Sequence, residues 1–421
     1  VWVAVTGHTS SRVATFDHPL DEAKPVTSRL FGTLCGFVFL VNFGRVAFAP
    51  LVEPLRTEFG IGSAAVGLVI SLVWWGSALP RIPVGVLLTR VPRHRVVLGT
   101  GVLLTAAAAF TASATSLLTL QLGAFCIGLA SGAYFVSAVP LLGELYPESV
   151  GRVVGIHGMA SQLAAVVVPT VAVWLLSQAT WRAVFWLLTA AAAVVTLALA
   201  VVADGDTVPE NADADRDFLA ALTHWRTILL GVVMVAALGF VWQGLFNFYV
   251  EYMTTVKGLS PTTAGTMLTV VFAAGVPAFW LSGRLADRLP NVPYVLAIHL
   301  AFVVCLVALT LVSSRAALFA VTAAIGYVVH SLFPALDTYV LGVLPADNRA
   351  AAYAVFSGTA LLLEAGGSGT LGYLREVGLG FDVVFLAAAG GLTAVLLGLT
   401  ALYVLDAFPR PAAEPTDASV S

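Results

Sequence analysis

Charge is the scarcest ingredient of this chain. Asp, Glu, Lys and Arg make up 10% of its 421 residues, whereas ordinary soluble domains carry about 25%, so a fully solvated surface is excluded. The formal net charge is −3 and no long basic tract exists, so nucleic acid is not an expected partner. Cysteine is nearly absent as well. Cys35, Cys126 and Cys305 each stand alone in an apolar run, without the C-x-x-C or Cys/His spacing of a metal site, and are expected to be small core residues. No nucleophile or metal-ligand cluster is legible, so neither an enzyme nor a bound metal or other cofactor is expected. Residues 1–29 lack an apolar segment followed by a small-residue cleavage site and are expected to form a cytoplasmic tail.

Apolar residues are what the chain has in excess. Hydrophobic types make up 59% and the mean hydropathy is +0.96, which defines an integral membrane protein with the lipid bilayer as its partner. A helix crosses a ~30 Å hydrocarbon core in about 20 residues. Twelve runs of that kind are predicted, at 30–52, 65–88, 96–113, 117–142, 153–176, 181–202, 228–254, 262–285, 292–312, 316–344, 350–374 and 381–405. With both termini cytoplasmic, the Lys and Arg residues outside the spans or at their ends divide as 13 inside and 5 outside, with Arg45 and Arg81 left within the membrane, in keeping with the positive-inside rule. A plasma-membrane location follows as an expectation.

The largest interruption, "ADGDTVPENADADRDFLAALTHWR", divides the chain near its middle. The expected organisation is a tail at 1–29, a six-helix bundle at 30–202, a cytoplasmic linker at 203–227, a second six-helix bundle at 228–405 and a C-terminal tail at 406–421. The halves repeat one another. At an offset of 198, "GVLLTRVPRHRVVL" from Gly85 aligns with "GRLADRLPNVPYVL" from Gly283, and Glu53, Gly60, Gly67 and Pro147 pair with Glu251, Gly258, Gly265 and Pro345. A register held across several spans points to two copies of one unit, related by an axis along the membrane normal.

The loop "GRLADRLP" after span eight resembles the signature of the major facilitator superfamily (MFS), and the loop after span two resembles a decayed copy of it. The resemblance covers nearly the whole chain. It implies an all-α membrane protein of twelve transmembrane helices in two pseudo-symmetric bundles, and a carrier that moves a small solute by alternating access around a central site. It also implies a charged gating latch formed by Gly283, Asp287, Arg288, Gly85 and Arg90, in which Thr89 stands where the first copy would carry Asp. The carrier is expected to act as a monomer.

A charge inside hydrocarbon costs about 2.5–3.5 kcal/mol on insertion scales, so the intramembrane polar residues are candidate site residues. Arg45 and Arg81 offer donor forks suited to carboxylate-like or nitrate-like oxygens. Trp242, Gln243 and Asn247 in "WQGLFNFYVEY" offer an aromatic platform and neutral hydrogen-bonding groups, or alternatively cross-link neighbouring helices. His330, Asp337 and Glu364 are candidates for proton coupling. "PRIPVG" at Pro80 resembles the anion-binding span of nitrate/nitrite porters, but Phe279 stands where those porters carry a second Arg, and "GIHGMASQLAAVVVP" lacks their Asn signature. A small organic or inorganic anion is therefore the expected substrate, with protons as a possible coupling ion. The competing expectations are efflux of an apolar or amphipathic compound and a transport-inactive sensor on the same fold.

Overall fold

A computed structural model describes residues 25–88, 90–146, 150–202, 222–286, 288–344 and 349–409, and every regular element among them is helical. The first half comprises α1 (Pro25–Val46), α2 (Val52–Phe59), α3 (Ser63–Ala78), α4 (Arg81–Leu87), α5 (Arg93–Ala112), α6 (Leu117–Leu145), α7 (Val150–Gln178) and α8 (Arg182–Val202). The second comprises α9 (Trp225–Asn247), α10 (Tyr249–Thr255), α11 (Pro261–Ala286), α12 (Asn291–Leu311), α13 (Arg315–Val343), α14 (Arg349–Glu376) and α15 (Phe381–Val404). Linker residues 203–221 and both tail ends lie outside the described residues. The second half begins earlier than the predicted boundary, since α9 opens at Trp225.

Among the described residues, eleven helical segments are long and apolar enough to cross a membrane, one fewer than the predicted twelve. The twelfth helix is present as α14, with 28 residues, but Ser357, Thr359, Glu364, Ser368 and five glycines dilute its apolar character. Its neighbours explain how it tolerates them. It packs against α3 and α9, so protein lines much of its surface.

The repeat is visible in the packing. Helix pairs α3–α6, α5–α6, α5–α8 and α1–α7 recur as α11–α13, α12–α13, α12–α15 and α9–α14. A Cβ on Gly128 would collide with the carbonyl of Val73, and one on Gly326 with the carbonyl of Val271; both pairs are related by the same offset of 198. The first span of each half also bends at the same place. In the first half α1 gives way to a 3-10 turn, Ala49–Leu51, before α2. In the second, Phe248 separates α9 from α10. The chain then turns through Gly60 at φ +61° and Gly258 at φ +67°, left-handed conformations that glycine adopts without a Cβ clash.

The second span is where the halves diverge. Pro80 has no N–H to reach the carbonyl of Gly76, so α3 ends and α4 restarts at Arg81. Its counterpart α11 runs on through Pro277 as a single helix.

The halves meet through α3 on α14 and α7 on α11. Ser71 Oγ accepts from the Gly369 N–H at 2.9 Å, and the hydroxyls of Thr170 and Thr269 lie 2.9 Å apart. At the end away from the chain termini, Arg56 Nη1 donates to Glu251 Oε1 at 2.9 Å, and the Ala64 N–H donates to Glu376 Oε2 at 3.0 Å. Glu376 thus supplies an acceptor to one of the first amide groups of α3, which would otherwise lack an intrahelical partner. The described conformation is held together at that end.

Candidate functional site: a charged centre between the halves

Arg45 lies in the last turn of α1. Its guanidinium carbon sits 4.0 Å from the ring centroid of Trp74 on α3 and 5.5 Å from that of Phe135 on α6. Such a seat is worth about 0.5–1 kcal/mol in the open and about 2 or more when desolvated. Among the described residues no protein acceptor reaches the group, and its Nε is buried without a partner. Arg81, one residue past the bend, reaches the other half, where Nη1 donates to Ser357 Oγ on α14 at 3.1 Å. Its Nε is likewise buried and unpartnered.

Glu364 on α14 supplies the opposite charge. It is 7% exposed, and its carboxyl rests over Gly239 of α9, where a Cβ would lie 2.5 Å from the carboxyl carbon. Only a residue without a side chain leaves room there. Arg45, Arg81 and Glu364 act on one another electrostatically, and Arg81 also acts on Tyr353 of α14, so the first half brings two guanidiniums to a centre where the second half brings one carboxyl. Trp75 closes the neighbouring seam, donating from Nε1 to the Leu362 carbonyl at 3.0 Å.

The other predicted site residues are placed differently. Asn247 donates from Nδ2 to the Gln243 carbonyl at 2.8 Å and to Ser368 Oγ at 3.1 Å, while Ser368 Oγ donates to the same carbonyl at 2.9 Å. Both residues are buried; Asn247 links α9 to α14 through its amide, whereas the Gln243 side chain accepts from Asn247 Nδ2 at 3.3 Å on its own helix. Trp242 is also buried, with ring centroids of Phe246, Phe272 and His330 at 5.2, 6.1 and 6.0 Å. No open platform exists there in this conformation.

His330 donates from Nδ1 to the Gly326 carbonyl at 2.7 Å and is enclosed by the rings of Trp242, Phe272 and Phe279. Asp337 accepts from the Tyr353 hydroxyl at 2.8 Å. Neither is grouped with Arg45. Of the latch, Asp287 and Thr89 lie outside the described residues; Gly85 is buried, and Arg90 and Arg288 are exposed. Three further intramembrane polar residues hold helices together. Asn42 donates to the Ser161 carbonyl, His157 pairs with the Tyr134 hydroxyl, and His299 bridges the Val295 and Met234 carbonyls.

Trp74, Ser357 and Gly239 belong to the site although residue type alone did not single them out. The signal for Trp74 was the tandem "WW" two turns before Arg81, and for Ser357 its place on the same helix as Glu364.

Two pseudo-symmetric helical halves around a charged centre make up a two-bundle membrane carrier. The Major Facilitator Superfamily model matches residues 34–363, and the chain belongs to that family. It is a multi-pass membrane transporter of small solutes and not an enzyme. It is 25% identical over 382 residues to the "Probable sugar efflux transporter" of Helicobacter pylori (strain G27), covering 87% of this chain and 94% of that protein. It is 23% identical over 278 residues to the "Probable sulfoacetate transporter SauU" of Cupriavidus necator, covering 62% of this chain and 65% of that one. Among solved structures, a bacterial homologue of the human lysosomal transporter Spinster, inward-facing and unoccupied, superposes with a TM-score of 0.74 at 18% identity, covering 91% of this chain and 97% of that one. The nucleoside transporter NupG, as a D323A mutant, superposes with a TM-score of 0.76 at 11% identity, covering 90% and 100%.

Proposed function

We propose that this protein carries a small organic anion across the plasma membrane, with Arg45 and Arg81 as its cationic seat and Glu364 as the group that exchanges a proton. The observation that carries the reading is the arrangement of the centre itself. Two guanidiniums from one half face a single carboxyl from the other, and no protein hydrogen bond engages that carboxyl among the described residues. A planar donor fork matches carboxylate or sulfonate oxygens in pairs. An incoming anion then competes with ionised Glu364 for the same two cations, so protonating Glu364 favours loading. The name of the sulfoacetate relative is in line with such a cargo. The Lys and Arg distribution supports cytoplasmic termini, in which case the closed end of this conformation faces the exterior.

A neutral sugar is the second reading, favoured by the Helicobacter relatives. It asks for neutral donors and acceptors at the centre, whereas both amide residues are buried and Asn247 Nδ2 is taken up by Gln243 and Ser368 oxygens. Uptake into proteoliposomes separates the two. Sulfoacetate, acetate, nitrate and glucose would each be measured with and without an imposed pH gradient. Organic-anion uptake that the gradient accelerates supports the proposal. Glucose uptake that excess anion leaves unchanged, with no anion entering, overturns it in favour of the sugar reading.

A further inference from the structure

Among the described residues Arg45 has a seat but no ion-pair partner within hydrogen-bonding reach, and the seat is the more informative feature. A guanidinium held over a ring face by its π surface keeps its N–H groups available for oxygen acceptors, which a lysine ammonium in the same place would not present as a fork. Trp74 is 8% exposed and makes two kinds of contact. On one side is Arg45 of the first half. On another is Phe246 of the second half, whose ring meets it edge-on at 6.1 Å and 88°.

Phe246 is in turn stacked on Trp242 at 5.2 Å and edge-on to Phe272 at 5.8 Å, so it moves with the second half. The repeat sharpens the point. The counterparts of Arg45 and Trp74 at the offset of 198 are Gln243 and Phe272, a pair with no charge to seat. The arrangement therefore exists once, and it straddles the seam that alternating access must open.

We infer that Trp74 is a positioning residue. It holds the Arg45 guanidinium in a defined place while Phe246 braces it from the other half, and releases it when the halves part there. Arg45 then grips an anion more tightly in the state described here than in the opposite one. This inference rests on the anion reading for its transport consequence, but the seat itself can be tested without a substrate.

The test compares Trp74→Leu, Trp74→Phe and Phe246→Leu in reconstituted, full-length protein. Phenylglyoxal, an arginine-selective reagent, is applied to vesicles without substrate, and modification is read at Arg45 and Arg81 by peptide mass spectrometry. Trp74→Leu should raise the Arg45 modification rate at least fivefold while Arg81 changes less than twofold. Trp74→Phe, which keeps a ring face, should restore most of the protection, and Phe246→Leu should give an intermediate rate. With sulfoacetate as the transport probe, Trp74→Leu should raise KM about tenfold and change kcat less than threefold.

Unchanged Arg45 reactivity in Trp74→Leu overturns the inference, as does an equal rise at Arg45 and Arg81, which a general loosening would cause. Should the wild-type protein take up no anion, the anion reading falls, and the Arg45 reactivity still decides the role of Trp74.

Discussion

The two halves share one packing scheme and carry different chemistry. Val73 against Gly128 and Val271 against Gly326 are the same contact made twice, and the short helices α2 and α10 both run on to a left-handed glycine. At the centre the correspondence ends. In the repeat register Arg45 corresponds to Gln243, Arg81 to Phe279 and Trp74 to Phe272. Packing constrains small residues wherever helices cross, so a duplicated bundle keeps them. On the anion reading, charges at the centre answer to the cargo, and a cargo between two dissimilar faces needs them from only one side.

The largest effect should come from the shared scaffold. A side chain on Gly67 would strike the Ser368 carbonyl, whereas at its counterpart Gly265 the nearest group is the movable Val173 side chain at 2.9 Å. Overpacking against backbone costs about 1–3 kcal/mol, so Gly67→Ala should slow transport ten- to a hundredfold. Gly265→Ala should slow it severalfold at most. Equal loss in both variants would show the two seams to be equivalent after all.

Next in size is the charge asymmetry. Arg81→Lys keeps the charge but loses the fork, and hydrogen bonds to charged groups contribute about 1.5–3 kcal/mol, so KM for an anion should rise at least tenfold. A wild-type rate in that variant would assign Arg81 to structure, through Ser357. Moving the charge, as Arg81→Phe with Phe279→Arg, should not restore uptake if the centre is one-sided.

Glu364→Gln should abolish acceleration by a pH gradient while leaving exchange of anion for anion intact, because the neutral amide no longer needs a proton to let the cations go. Persistent gradient dependence would move the coupling role to another group. Smallest is Glu53→Gln at the closed end. Its side chain is 65% exposed, so its ion pair with Arg56 is worth under about 1 kcal/mol after screening by solvent. The expected result is a shift of less than about fivefold in the balance of the two facing states, measured by cysteine accessibility across that seam.

Much of the fold was legible because its causes are local. A helix that must cross hydrocarbon needs a long apolar run, and the run identifies itself. The offset of 198 was legible because glycines at helix crossings and left-handed turns tolerate few substitutes. Less was legible where a role depends on a partner from afar. Gln243 and Asn247 looked as available as Arg45. Asn247 is tied to Gln243 on its own helix and across to Ser368, more than a hundred residues later. The α14 helix fell below the apolarity of its fellows because Ser357, Glu364 and Ser368 face protein rather than lipid.

By itself, then, the sequence determined a membrane carrier of two repeated halves, with both central guanidiniums on the first of them, since hydropathy, periodicity and repeat register belong to the one-dimensional order. The tertiary structure decided which polar residues meet. It gathered Arg45, Trp74, Arg81 and Glu364 from four helices into one centre, enclosed His330 among aromatic rings and paired Asp337 with Tyr353, which acts on Arg81. The physical reason is that a buried charge is stabilised by whatever stands beside it in space, and neighbours across a helix crossing leave no mark on the order of residues along either helix.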